Sequence, residues 1–367
     1  MFTYFLSLLG SKKSCVSQVL IIFISFFIGS SQILADVQNN STKAQVLKIL
    51  NWSEYLDPEV ISDFEKKYQV VVKEFYFESD EDRTKQLALT DGVGYDIIVS
   101  DMPSIRLYAR RGWLEVITPE KISSYRYLSP RYLQSENLTD QYAVPLLWGT
   151  LGIAYRKDLV KQPITSWQQL FKPADELKHK IVLIRDVNDL VGMGLKSLGY
   201  SANSTIVEQL DEVETLLLAQ KPFVKSYIYI SVEENSALLK GDVWAAMAYN
   251  GDALLLNELN PNIEFVVPRE GGNLWVDYFL ILKASKNKEM AYQFLDFVNQ
   301  PEIAKRIAEY ASCATPNVGA EKLLPSEFKN DPLIYPPKDV MDKMEIYKKL
   351  PARVTKKRNS IVTKIYN

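Results

Sequence analysis

From Val46 onward, hydrophobic and polar positions fall into blocks whose period switches between two and 3.6 residues. Short apolar runs at 46–50, 70–77, 95–99, 180–184, 243–248 and 263–267 read as strands. Helical periods lie between them. Asp57-Pro58 opens a helix through Tyr68, with Asp as N-cap, Pro at N1 and Val60, Ile61 and Phe64 on one face. Further helices are expected around 85–89, from 166–170, through Leu195, and at 288–299 and 302–311, the last two separated by Pro301. Strand and helix signals in alternation predict an α/β protein built on mostly parallel sheets. The stretches 142–155 and 271–275 are extended, aromatic and glycine-bearing, and read as crossings between two lobes. The tail, with seven Lys or Arg from Lys348 to Lys364, reads as a solvated helix.

The amino end changes the picture. Lys12 and Lys13 precede an apolar run at 19–28, and Ile33-Leu34-Ala35 offers a small residue for cleavage, so residues 1–35 read as a removable export signal. The run is shorter than the roughly 20 apolar residues that a membrane span needs. Cys15 lies ahead of it and does not fit a lipidation site at the cleavage point. Cleavage leaves Cys313 as the one cysteine, so no intramolecular disulfide is possible, and Cys313 is expected to be a small buried residue. It also removes two lysines and no acids, leaving 41 basic and 45 acidic residues and a net charge of −4. That balance gives no nucleic-acid footprint. The length suffices for two lobes, each with its own core.

Candidate chemistry gathers at strand ends. Asn51-Trp52-Ser53-Glu54-Tyr55 follows the first strand of the mature chain, at a carboxyl tip, where open α/β sheets bind ligands. Two aromatic faces beside one carboxylate suit an organic cation, although an aromatic pair after a strand more often belongs to core packing. Ser100 and Asp101 end another strand; Asp101 is either a further acid for a cation or the cap of a helix beginning near Pro103. Asp186 and Asp189 can serve a ligand or charge the first turn of a helix. Asp277 lies between Val276 and Tyr278-Phe279, where an unpaired carboxylate is costly. His179 is the sole histidine, in a polar run, which leaves no His-based metal site or catalytic triad. Gly92-Val93-Gly94 and Gly192-Met193-Gly194 lack the third glycine of a dinucleotide fingerprint and read as turn and close-packing glycines.

Over essentially the whole mature chain these residues resemble the periplasmic polyamine-binding proteins, the spermidine/putrescine group of bilobed solute-binding proteins. The matching segments are NWSEY at 51–55, YDIIVS at 95–100, VPLLWGTLGIAY at 144–155, SWQQLFKP at 166–173, LGYSANS at 198–204, YNGDA at 249–253, PREGGNLWVD at 268–277, and ATPN with AEKLLP at 314–325. The resemblance implies a type II periplasmic binding protein fold, each lobe a mostly parallel sheet flanked by helices and joined by a hinge. It implies one lobe from 46–149 plus 276–321, and a second from 150–275 with 322–367 packing back upon it. It places the ligand cage on Trp52, Ser53, Glu54, Tyr55, Asp186, Asp189, Tyr249, Asp252, Trp275 and Asp277. A polyamine is a row of ammonium groups spaced by methylenes, so acids at intervals and aromatic walls suit it. Two positions depart from the pattern. Tyr249 stands where many relatives have tryptophan, and Asp101 stands where small hydroxyl residues are common; the extra acid would favour a triamine over a diamine.

The leading expectation is a monomeric periplasmic protein, without cofactor or metal, that captures a polyamine such as spermidine, norspermidine or putrescine and presents it to an inner-membrane partner. The resemblance offers two partners. One is an ABC permease; the other is a membrane sensor, since a branch of these proteins reports norspermidine and spermidine to a cyclic-di-GMP enzyme. WGTLGIAYR at 148–156 and LWVDY at 274–278, with Tyr249, look more like the sensor branch and place sensing ahead of import. A reading from another class is a carboxylate-dependent hydrolase; five acids with aromatics and no recognisable catalytic motif fit cation binding better.

Overall fold

The computed structural model describes residues 44–133 and 138–366. The export signal expected over 1–35, Cys15 included, lies outside the described residues. The strands are β1 (Val46–Asn51), β2 (Val71–Tyr76), β3 (Ile97–Asp101), β4 (Val144–Arg156), β5 (Ile181–Leu183), β6 (Val224–Tyr227), β7 (Ala245–Tyr249), β8 (Ile263–Val266) and β9 (Leu274–Ile281). They join edge to edge in the order β2-β1-β3-β9-β4-β7-β5-β6, with β8 pairing β4. β1 is parallel to β2 and β3, and β5 is parallel to β6 and β7. Between these parallel sets run β9 and β4, antiparallel to each other and to their neighbours β3 and β7.

The inner strands β1, β3, β5 and β7 are mostly buried on both faces, which explains why they read as apolar runs, whereas the edge strand β2 is largely exposed. On β1, Leu47 and Ile49 enter one core with Phe64, Phe279 and Phe294, while Leu50 enters the opposite core with Ile98, Tyr108 and Tyr278. Along β7, Ala245 and Met247 face a core with Trp167 and Leu217, and Ala246 and Ala248 face one with Leu256 and Phe265. Alternation with period two sends successive side chains to opposite layers. All 13 residues of β4 are buried except the half-buried Arg156, because this strand passes from one half into the other.

The opening helix forms as its sequence dictates: Asp57 accepts from the Glu59 amide, Pro58 begins the helix, and Val60, Ile61 and Phe64 are buried. Three differences from the sequence reading have physical causes. β3 runs on through Asp101 because Ser100 and Asp101 pair with Tyr278 and Asp277 of β9. The helix expected around 85–89 starts earlier, at Asp80, where Ser79 caps the Asp82 amide. The tail helix Ala352–Tyr366 is not simply solvated, since Val354, Arg358, Ile361, Val362 and Ile365 are buried along one face. Arg358 donates to the carbonyls of Ala202 and Ser204 at 2.7 and 3.2 Å. Ahead of that helix, Leu324 and Ile334 pack into the cores of the first half, whereas Tyr347 and Leu350 pack against the second. Among the described residues, no helix is long and apolar enough to cross a membrane.

The glycine triplets divide as their contexts suggest. Gly92 and Gly94 adopt left-handed φ values of 74° and 115° in a turn, while a Cβ on Gly194 would lie 2.6 Å from Val213. Gly149 serves the passage between halves: a Cβ there would sit 2.3 Å from Asn250 Oδ1 and 2.5 Å from the Trp275 ring. Overpacking of this kind costs about 1–3 kcal/mol. Gly149→Ala should therefore lower the unfolding free energy by that amount in urea denaturation, with no change of the slope that reports buried area.

Candidate functional site

The carboxyl ends of β1, β3 and β7, the loop after β5 and the start of β9 converge on one cavity of about 510 Å³. All eleven residues singled out from sequence line it: Trp52, Ser53, Glu54 and Tyr55 after β1, Asp101 at the end of β3, Asp186 and Asp189 after β5, Tyr249 and Asp252 after β7, and Trp275 and Asp277 on β9. Glu78, Asp80 and Glu233 add further carboxylates to the wall. Among the described residues that line it there is no Lys, Arg or His. The aromatic wall includes Tyr229 and Tyr347 beside those named from sequence.

Asp277 sits at the centre of the first half's contribution. Its Oδ2 accepts from Tyr55 Oη at 2.7 Å, and β3–β9 register sets it directly opposite Asp101. Burial pushes its carboxyl up to about 6; the hydrogen bond from Tyr55 pulls the other way and the charge of Asp101 adds to the rise. Burial together with Asp277 also holds the Tyr55 hydroxyl far above its ordinary range, so it stays a donor. Asp252, in the first turn of the helix Asn250–Leu259, is raised to about 6 by burial alone. Glu54 takes the left-handed conformation, φ 54°, and lies exposed at the rim, where it accepts from Tyr310 Oη at 2.6 Å.

The second half presents two acids at the start of the helix Val187–Ser197. Asp186 caps it, accepting from the amides of Asn188 and Asp189 at 2.7 and 2.9 Å, so the helix-start role and the cavity position belong to the same side chain. Asp189 accepts from Tyr249 Oη at 2.8 Å on one oxygen and from Tyr347 Oη at 2.7 Å on the other. Burial and the neighbouring Asp186 raise Asp189 to about 7 against those two hydrogen bonds. The acid thereby fixes two rings. Tyr249 in turn meets Trp275 edge-on at 6.2 Å and stacks with Tyr229 at 6.3 Å.

Asp101 does not act as a helix cap. It occupies the N-cap position of the helix Met102–Arg110, but its side chain makes no capping bond and pairs instead with Arg83. Arg83, Asp80, Tyr229 and Tyr347 escaped the sequence reading. Asp80 follows Ser79 in a polar stretch that resembles any helix start, and Tyr347 belongs to a tail far from the other site residues in sequence. A buried arginine on a polar helix gives no periodicity signal.

Chemically, the described residues of the wall offer acceptors and ring faces and no cationic side chain. Cys313 lines it beside Asp252 and Asp277, and burial raises its thiol so that it stays neutral. Among the described residues, no group of His, Cys, Asp or Glu is arranged to hold a metal ion.

Comparison with known proteins places this geometry. The family of bacterial extracellular solute-binding proteins matches residues 59–336. The spermidine/putrescine-binding periplasmic protein of Salmonella typhimurium is 31% identical over 301 residues, 82% of this chain and 85% of that protein. The norspermidine sensor of Vibrio cholerae is 29% identical over 323 residues, 87% of this chain and 88% of the sensor. The crystal structure of a spermidine/putrescine ABC transporter substrate-binding protein from Streptococcus pneumoniae superposes with a TM-score of 0.78 at 31% identity, covering 88% of this chain and 99% of that one. With the two-lobed type II architecture and a match over most of its length, the chain belongs to the bacterial extracellular solute-binding protein family.

Proposed function

We propose that this chain is a periplasmic polyamine-binding protein, exported by a cleaved signal over residues 1–35, whose lobes close around the ligand. The observation that carries the reading is a cavity lined, among the described residues, by many carboxylates, several aromatic rings and no basic side chain. Ammonium groups neutralise the acids, and each ring contact adds about 0.5–2 kcal/mol where water is excluded. The proposed ligand set is Trp52, Ser53, Glu54, Tyr55, Asp101, Asp186, Asp189, Tyr249, Asp252, Trp275 and Asp277. A cation that touches acids from both halves favours the closed arrangement and shifts the population toward it. Binding is the whole of the proposed activity, with no chemical step.

Two partners follow from the relatives. Presentation to an ABC permease is supported by the likeness to the Streptococcus ABC transporter substrate-binding protein. Sensing, placed slightly ahead of import, is supported by the likeness to the Vibrio norspermidine sensor over most of both chains, and a membrane protein of cyclic-di-GMP signalling is the proposed recipient. Genes for a permease and an ATPase beside this one favour import, and a membrane protein with a cyclic-di-GMP domain favours sensing.

The mature protein should bind spermidine, norspermidine or putrescine with a micromolar or lower Kd, about −8 kcal/mol or stronger. At a hundredfold excess over Kd the ligand should stabilise by about 2.7 kcal/mol in thermal denaturation, and small-angle scattering should show a smaller radius of gyration. A shift with a neutral or anionic solute but none with polyamines would sink the reading.

Removing one charge at the centre of the site separates affinity from stability. Asp277→Asn keeps an acceptor for Tyr55 but deprives an ammonium of its buried partner, and breaking such a pair costs about 3–5 kcal/mol. Calorimetry should show that loss of affinity. The same variant should melt higher than wild type at pH 8 without ligand, because an ionised acid held out of water is gone.

The raised carboxyls also set a pH dependence. Their folded-state values of about 6 for Asp252 and Asp277 and about 7 for Asp189 exceed the ordinary value of 3.8. The stability they contribute is fully present below pH 3.8 and is lost as pH rises through 6 to 7. The ligand-free protein should therefore become less stable from pH 5 to pH 7.5 while polyamine affinity rises, with protons released on binding. Titration calorimetry in buffers of different ionisation enthalpy measures the release; a constant affinity across this range would contradict the assignment.

A further inference from the structure

The helix Asp80–Leu89 supplies a cation that the cavity wall conceals. Arg83 is fully buried and directs its donors to fixed partners: Nε to Tyr108 Oη at 3.1 Å, Nη1 to Asp80 Oδ1 at 2.6 Å, and Nη2 to Ser104 Oγ at 2.9 Å and to Asp101 Oδ1. The two carboxylates stand in front of it. The Asp80 side chain is 41% exposed and that of Asp101 25%, against 0% for Arg83, and both acids line the cavity while Arg83 does not. Arg83 engages each acid through one oxygen, and a carboxylate has about four lone-pair sites to offer. Two carboxylates against one guanidinium leave one negative charge, the complement of one ammonium.

We propose that Asp80 and Asp101, backed by Arg83, form an additional ammonium station by which this cavity ranks polyamines according to their number of ammonium groups, taking a triamine over a diamine. The proposal rests on the polyamine reading above. Among the described residues, Asp186, Asp189, Asp252 and Asp277 form no ion pair with a Lys or Arg, although Asp277 lies opposite Asp101 across the β3–β9 ladder; the two ammonium groups of a diamine would settle against these acids. A third ammonium gains the Asp80–Asp101 station, whereas a diamine has no group left to fill it. Arg83 is a positioning residue: it holds the two acids side by side and cancels half of their charge, so that the empty station does not push itself apart. Although it opens on the cavity, the Asp80 carboxyl lies deep among protein atoms, and this desolvation and Asp101 raise it; Arg83 offsets part of that rise, and Asp277 and Asp186 add to it. Asp80 therefore takes up a proton more readily than an ordinary carboxylate, and an arriving ammonium expels it.

Calorimetric titration of spermidine and putrescine into wild type, Asp80→Asn and Asp101→Asn, at pH 7 in two buffers of different ionisation enthalpy, tests the station. Asparagine keeps an oxygen for Arg83, and a thermal melt verifies the fold of each variant. Both variants should weaken spermidine by about tenfold or more and putrescine by less than about threefold, in line with the loss of one charge-assisted contact. The extra proton released by spermidine relative to putrescine in wild type should vanish in Asp80→Asn. Glu81→Gln, which removes a neighbouring charge outside the cavity, should change neither ligand. An equal loss for both ligands, or no loss, overturns the station while leaving polyamine binding in place. Absence of binding of either polyamine by wild type overturns the underlying reading and the station with it.

Discussion

Negative charge withheld from water without a matching cation is the constraint on which this structure depends. An unpaired carboxylate in a dry interior is costly and responds by taking up a proton. Asp189, Asp252 and Asp277 all show that response, with burial as the first cause in each. The protein tolerates the cost because the acids sit where strands end and a ligand can arrive. Tyr55 on Asp277, and Tyr249 with Tyr347 on Asp189, supply hydrogen bonds that satisfy the oxygens without cancelling their charge. Neutral donors keep the cavity negative; lysines in those places would have filled it from within.

The architecture around the cavity serves that arrangement. Parallel strands in each half point their carboxyl ends at it, and β4 with β9 carry the chain between the halves. The acids are distributed over loops from both halves, so that no single segment bears the whole repulsion. Gly149 lets Asn250 and Trp275 come close at the passage, and Asn250 Oδ1 accepts from the Thr150 amide at 3.0 Å, tying the start of the helix after β7 to β4. Ring positions follow from the acids beneath them: Asp189 orients Tyr249, which meets Trp275 edge-on.

Much of this was legible in the residues. Strand ends announced themselves through apolar runs that stop at acids and aromatics, the family resemblance added Tyr249, Asp252 and Trp275, and all eleven residues line one cavity. Asp57-Pro58 and Pro301 marked helix starts through local chemistry alone. What escaped was set by tertiary contact. The capping role offered for Asp101 failed because Arg83, 18 positions earlier, competes for its carboxylate. Asp80 looked like one more helix-start acid until the fold turned it toward the cavity. In the tail, the density of Lys and Arg hid the buried face made by Val354, Ile361, Val362 and Ile365, and Arg358 joins that face with its Nη2 donating to two backbone carbonyls. Composition argued for solvent; spacing argued for packing.

The central position of β9 governs when the protein can fold. A chain emerging amino end first has made β1 to β3 long before Leu274–Ile281 appears, and until then β3 lacks the neighbour that covers one of its edges. The core around Phe64 likewise waits for Phe279 and Phe294. Pairings so distant in sequence slow folding, and an uncovered strand edge is open to wrong partners. The late return of the chain thus delays completion of the first half until most residues have been synthesised, a delay that accords with the export proposed above.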